Sequence, residues 1–149
     1  MADFLTTTID KFLFKIASDR LYSAEGVWLL EESGRIRVGV TDYQQQLGGD
    51  VAFAHIKPTG TILSVGDEAA ELETIKATVS FASPISGTVV EVNAALELSP
   101  ETINDDPYGK GWLLAIDPAN WLGNRTKLLN PEAYLAAMRK QAEEALGQS

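Results

Sequence analysis

A short internal repeat restricts this chain more than any other feature. Gly60-Thr61-Ile62-Leu63-Ser64-Val65-Gly66 matches Gly87-Thr88-Val89-Val90-Glu91-Val92-Asn93 position by position, 27 residues further on. Each copy is a Gly turn, a β-branched strand, then Gly66 or Asn93, residue types that tolerate a left-handed turn. Gly66 and Gly87 are therefore expected to be structural turn residues. A copied strand-and-turn unit on either side of a central hairpin predicts a small flattened β-barrel with a pseudo-two-fold axis. Coincidence among valine-rich strands is the competing explanation.

The flanking segments read as short strands, turns and helices. Phe12, Phe14 and Ile16 alternate with Leu13 and Lys15 at strand spacing. Val27-Trp28-Leu29-Leu30 and Arg35 to Val40 flank Glu31-Glu32-Ser33-Gly34, a hairpin signal. Thr41 or Asp42 caps a helical turn through Gln44 to Leu47, which Gly48 and Gly49 end. Val51 to Phe53 is another strand, stopped at Lys57-Pro58-Thr59-Gly60. Ser99-Pro100-Glu101 and Asn130-Pro131-Glu132 both read as helix starts, with a capping side chain, Pro at the first position and an acid behind it. The second opens a terminal helix with the apolar stripe Leu135, Met138, Ala142 and Leu146.

Charge and cysteine usage then exclude function classes. Twelve basic against 21 acidic side chains give a net charge of −9, which argues against nucleic acid and anionic membrane as partners. There is no Cys, so no disulfide, thiolate metal site or thiol nucleophile is available. The cytoplasm is the expected location, because no signal-peptide core or membrane-spanning run is present. His55 is the only imidazole and sits in a strand-like run, where a structural role is expected. No Ser-His or Cys-His pairing can be assembled, so no catalytic residue is expected. Asp105-Asp106 precede the turn signal Pro107-Tyr108-Gly109 and are expected to be solvated loop acids rather than metal ligands. No metal site is expected. Trp28, Trp112 and Trp121 are expected in core or rim packing.

The centre of the repeat holds the informative residue. Lys76 lies between the strand-like runs that end at Leu72-Glu73-Thr74 and begin at Thr78-Val79, which puts it near a hairpin tip. From Pro58 to Gly109 it is the only basic residue, among nine acids. An isolated ammonium on a projecting turn, followed by the small Ala77, suits a modifying enzyme that must choose one lysine among seven.

Glu73-Thr74-Ile75-Lys76-Ala77, followed by Ser83-Pro84-Ile85-Ser86-Gly87 and the strand to Asn93, resembles the lipoyl-lysine segment of the glycine cleavage H-protein family. Val38 to Tyr43 and Asn104 to Leu113 resemble its neighbouring segments, in the family's order. The resemblance runs from about Leu21 to Tyr134. It implies a mainly β fold, the hammerhead type of barrel-sandwich hybrid, with short flanking helices and a C-terminal helix. Residues 1–20 would be an extension packed on the domain, 21–129 the lipoyl domain and 130–149 the terminal helix. It further implies a non-catalytic, monomeric carrier with lipoic acid in amide linkage on Lys76. Glu73, Ile75 and Ala77 would be read by a lipoate ligase or lipoyl-assembly enzyme. The absence of Cys fits, because protein thiols would exchange with a dithiolane cofactor.

Where the family usually has His-Glu-Trp in its early strand, this chain has Gly26-Val27-Trp28, and its amino terminus is longer. In Leu72-Glu73-Thr74-Ile75-Lys76 and the extended amino terminus it is more similar to the lipoate-binding proteins of bacterial sulfur oxidation. That resemblance implies a sulfur-bound or redox cargo and a heterodisulfide-reductase-like complex as partner. The alternative is a glycine cleavage H protein carrying an aminomethyl group between glycine decarboxylase and aminomethyltransferase. A biotin carrier would place Met on both sides of the lysine, where Ile75 and Ala77 stand here. An unmodified interaction protein is the reading from another class.

Overall fold

The computed structural model describes residues 3–147. In chain order the elements are β1 (Phe4–Ile9), β2 (Phe12–Ala17), β3 (Leu21–Tyr22), β4 (Val27–Glu32), β5 (Arg35–Val40), α1 (Asp42–Gly48), β6 (Val51–Ile56) and β7 (Ile62–Leu63). Then follow β8 (Glu68–Thr74), β9 (Thr78–Ala82), β10 (Gly87–Val92), α2 (Thr102–Asp105), β11 (Leu114–Pro118), α3 (Trp121–Arg125) and α4 (Pro131–Gly147). A six-stranded sheet in the order β3-β4-β5-β11-β10-β7 faces a three-stranded sheet, β6-β8-β9. The expected mainly β fold with short helices and a terminal helix is the one observed. No helix among the described residues is long and apolar enough to cross a membrane.

Local chemistry accounts for most of the turns. The β4–β5 hairpin turns through Ser33 and Gly34, at φ 52° and 80°, the paired positive φ of a two-residue hairpin loop. At α1, the Gln44 N–H donates to the Thr41 hydroxyl at 3.3 Å, and Gly49 closes the helix at φ 81°. At α4, the Ala133 N–H donates to Asn130 Oδ1 at 2.8 Å.

Residues Val27, Leu29, Ile36, Val38, Leu72, Val89, Leu114 and Ile116 fill the space between the two large sheets. Trp28 points the opposite way from its neighbours, as strand alternation requires, into a second core with Phe14, Ile16, Tyr22, Tyr43, Tyr134 and Met138. β4 is thus buried on both faces. The β1–β2 hairpin and α4 cover this second face. Asp42 Oδ2 accepts from the Lys15 N–H at 2.9 Å, Gln46 Nε2 donates to the Leu13 carbonyl at 3.0 Å, and Arg139 donates to the Thr7 hydroxyl. Trp112 and Trp121 pack half-buried against the cores.

The repeat is less symmetric than its sequence. Its copies lie side by side, Gly87 opposite Leu63 and Thr88 opposite Ile62, but the first contributes a strand of two residues and the second one of six. Gly66 takes the expected left-handed conformation at φ 95°. Asn93 does not: its φ is −75°, and its side-chain amide donates to the Lys110 and Trp112 carbonyls, both at 2.8 Å. Asn is required there for hydrogen bonding. Gly87 begins a strand rather than turning. A Cβ would lie 2.3 Å from the Asp117 carbonyl oxygen, so close approach of β11 excludes a side chain.

Two helix expectations shift. Ser99 does not cap a helix at Pro100. Its carbonyl accepts from the Thr102 N–H at 3.1 Å in a preceding turn, and α2 runs only from Thr102 to Asp105. Pro107 disfavours helix in the residue before it and leaves little room. On α4 the buried face is Tyr134, Met138 and Ala142. Leu135 is half-buried and Leu146 exposed, because the helix rotates its aromatic residue, not Leu135, onto Tyr22. Residues 148 and 149 of the expected helix, and residues 1 and 2 of the extension, lie outside the described residues.

Candidate functional site

Lys76 occupies the tip of the β8–β9 hairpin. The ladder ends at Glu73 opposite Thr78, which leaves Ile75, Lys76 and Ala77 as a three-residue turn. All three are exposed, Ile75 to 93 %. Thr74 holds the turn together. Its N–H donates to the Ala77 carbonyl at 2.8 Å, and its hydroxyl accepts from the Lys76 and Ala77 N–H groups, both at 3.2 Å. The backbone of the tip is thereby fixed, and the lysine side chain extends from it without an ion pair among the described residues.

The tip rests on α1. A Cβ on Gly49 would stand 3.8 Å from Lys76 Cε, so the lysine stem lies across the glycine that ends this helix. Beneath it, Asn104 donates to the Gly49 carbonyl at 2.9 Å and to Gln45 Oε1 at 3.1 Å, and accepts from the Val51 N–H at 2.9 Å. One side chain from α2 thus joins the end of α1 to the start of β6. Sequence reasoning missed Thr74 and Asn104. The first had a local signal, a hydroxyl residue at the end of a strand before a short turn. The second had none, because its partners are more than fifty residues away.

Two apolar grooves meet at the lysine. One of about 250 Å³ opens between the β1–β2 hairpin, α1 and the end of α4, walled by Phe12, Phe14, Tyr43 and Ala142, with Lys76 on its rim. The other, of about 190 Å³, runs along the hairpin over Val40, Val51, Leu72 and Phe81, again with Lys76 in its lining.

The remaining expected site residues are dispersed. Glu73 lies on the outer face of β8, with His55 Nε2 2.7 Å from its Oε1, so His55 is exposed and paired rather than packed in a core. Ile75 and Ala77 flank Lys76. Gly66 and Gly87 stand at turns and strand starts away from the tip. Asp106 accepts from the Lys110 N–H at 2.9 Å, a turn role.

The family profile for the glycine cleavage H-protein matches residues 20–141. The chain belongs to the glycine cleavage H-protein family. It is 36% identical over 127 residues to the glycine cleavage system H protein of Thermus thermophilus, covering 85% of this chain and 98% of that one. It is 43% identical over 120 residues to that of Psychrobacter cryohalolentis, covering 80% and 94%. The crystal structure of a glycine cleavage system H protein from Mycobacterium marinum superposes with a TM-score of 0.73 at 33% identity, covering 80% of this chain and 95% of that one. As a family member this chain is a non-catalytic carrier whose cofactor is a lipoyl group joined covalently to a lysine. The match begins at residue 20, so β1 and β2 lie outside it.

Proposed function

We propose that Lys76 is the lysine that carries the lipoyl group and that the chain presents this arm to partner enzymes, between which an arm-bound intermediate moves. The observation that carries this reading is an exposed ammonium, without an ion pair among the described residues, on a three-residue turn whose backbone Thr74 clamps. The residues fit the group: amide formation at Lys76 Nζ removes a charge that no neighbouring acid needs, and the adjoining grooves are apolar enough for an aliphatic chain. When bound, the group supplies a reversible dithiol–disulfide pair. Thr74 and Asn104 keep its attachment point fixed relative to α1. Glu73, Ile75 and Ala77 are the tip residues that a lipoate ligase would read, Glu73 with its carboxylate oriented by His55. The net charge of −9 favours partners with basic docking sites.

Peptide mapping after modification by the cognate ligase tests the attachment, with the added mass expected on Lys76 alone. Label on Lys57 or Lys110 with Lys76 bare would overturn it. Lys76→Arg should abolish lipoylation and shift stability by no more than about 0.5 kcal/mol, because an exposed turn side chain is replaced.

Family membership supports aminomethyl transfer between glycine decarboxylase and aminomethyltransferase as the pathway. Two departures from the family pattern are the ground for the second reading, sulfur oxidation beside a heterodisulfide-reductase-like complex. The β1–β2 hairpin, outside the family match, builds one wall of the groove beside Lys76, and Gly26-Val27 stand where the family usually has His-Glu. The lipoylated chain offered to glycine decarboxylase separates the two. Glycine-dependent carbon dioxide exchange supports the first reading, and its absence with a competent control H protein supports the second.

A further inference from the structure

The outer face of the β6–β8 ribbon carries a cluster, His55, Glu71 and Glu73, of which the proposed ligase recognition draws only on Glu73 and the imidazole that orients it. His55 stands opposite Glu71 in the antiparallel ladder, and Phe53 opposite Glu73. Residues two apart on a strand share a face, so His55, Glu71 and Glu73 all project outward together. One ligand atom from each lies within 4.8 Å of the others. The imidazole is already aimed, with Nε2 2.7 Å from Glu73 Oε1 and its ring against Phe53 at 6.4 Å between centroids and 20° between planes. The Glu71 carboxylate has no hydrogen bond or ion pair among the described residues.

The neighbouring charges are committed elsewhere. Glu68 accepts from the Ser80 hydroxyl at 2.6 Å and pairs with Lys57 at 3.5 Å. That hydrogen bond, with Lys57 adding to it, holds the Glu68 carboxyl below its ordinary range. Neither Lys57 nor Glu68 therefore competes for the cluster. What remains is one imidazole and two carboxylates on a paired ribbon, open to solvent on the fourth side.

We infer that this face is a divalent transition-metal site, with His55 Nε2, Glu71 and Glu73 as protein ligands and zinc as the ion that suits them. A zinc ion bonds His nitrogen and carboxylate oxygen at about 2.0–2.2 Å in tetrahedral geometry. Its ligand atoms then stand about 3.4 Å apart, and side-chain rotation closes the present spread without moving the ladder. Binding there would replace the present contact between His55 Nε2 and Glu73 Oε1. Mixed imidazole and carboxylate donors suit zinc, and calcium requires six to eight oxygens that the face does not offer. The fourth position is left to water or an external ligand. Glu73 precedes Lys76 by three residues, so a bound ion would occupy the acid nearest the modified lysine. The site itself does not depend on the lysine's role.

Titration of the untagged full-length chain with zinc chloride, by calorimetry in a non-coordinating buffer, tests the inference. The expected result is saturable binding of one ion per chain. It should be accompanied by a shift of the imidazole resonances, which report His55 alone because the chain has one His. His55→Ala and Glu71→Gln should each weaken binding tenfold or more, and Glu68→Gln should leave it unchanged. His55 is exposed and Glu68 and Glu71 are half-buried on the outer face, outside the core, so the variants should retain the wild-type circular dichroism. Absence of saturable binding would overturn the inference. So would binding that survives His55→Ala, or equal binding of magnesium, since either would mean adsorption to the acidic surface.

Discussion

The core between the two large sheets is aliphatic, with Phe81 its one buried aromatic residue. The core beneath β1, β2 and α4 is built on Phe14, Tyr22, Trp28, Tyr43 and Tyr134. The two share β4 and little else. The first relies on apolar burial, which is non-directional and insensitive to pH. The second is latched by directional bonds. Tyr22 stacks on Tyr134 at 4.6 Å and 9°, and its hydroxyl donates to the Ala17 carbonyl at 2.5 Å. The Tyr134 and Thr41 hydroxyls pair at 2.9 Å, and the Tyr108 hydroxyl donates to the Lys15 carbonyl at 2.7 Å. The barrel that carries Lys76 thus has a core of one kind, and the added layer that walls its groove has another. The difference predicts that the layer can be loosened chemically while the barrel stands.

The largest expected effect falls on the barrel. Ile116→Ala removes a fully buried side chain and should cost about 2–5 kcal/mol. Both layers should lose stability together, because β11 lies at the centre of the six-stranded sheet. Separate melting of the layer before the barrel in this variant would break the comparison.

Alkaline pH should act on the layer instead. Burial pushes the Tyr134 phenol up to about 12 and raises those of Tyr22 and Tyr108 further. A folded-state value above the unfolded one, near 10, means that stability is complete below about pH 10 and is lost as pH rises through the folded value. Each unit is worth about 1.4 kcal/mol, so Tyr134 alone accounts for roughly 2–3 kcal/mol between pH 10 and 12. Phenolate absorbance from these residues should appear only as the hairpin and α4 detach. Ionisation with the layer intact would contradict the latch.

Gly66→Ala probes the barrel's turn away from either core. With φ at 95° and nothing within 4 Å of an added Cβ, the cost is conformational alone, about 1 kcal/mol or somewhat more. Gly66→Val should in addition impair lipoylation if this turn sets the position of the tip. Thermal melting and ligase assay read the two effects. The smallest change is Tyr22→Phe, which leaves the Ala17 carbonyl without that donor for about 0.5–1.5 kcal/mol. Amide exchange should accelerate across 4–17 and remain unchanged in β5 and β11; uniform acceleration would show that the two cores act as one.

The sequence marked out the elements whose causes lie within a few residues. Ser33-Gly34, Thr41, Gly49 and Asn130-Pro131 each form the turn or cap their own chemistry requires, and Lys76 stands at the hairpin tip between two strands. Periodicity carries no signal for β1, although Thr6, Thr7 and Thr8 favour a strand and Asp10 adopts the left-handed turn at φ 57°. It pairs along its whole length with β2, and that partner is what makes it a strand. The apolar stripe expected on α4 holds at Met138 and Ala142 and differs at its ends, Leu135 and Leu146, for a related reason. Helical spacing identifies a face, and packing against Tyr22 selects Tyr134 rather than Leu135 for it.

The sequence by itself determined the class of fold, the tip lysine and the family, because periodicity, turn chemistry and the order of short motifs are properties of neighbouring residues. Only the tertiary structure decided what surrounds that lysine. Asn104 reaches Val51 and Gly49 across more than fifty residues. The groove wall comes from a hairpin near the amino terminus and a helix near the carboxyl end. His55 meets Glu71 and Glu73 through the register of a ladder. These associations arise when sheets pair and pack, and no local spacing encodes them.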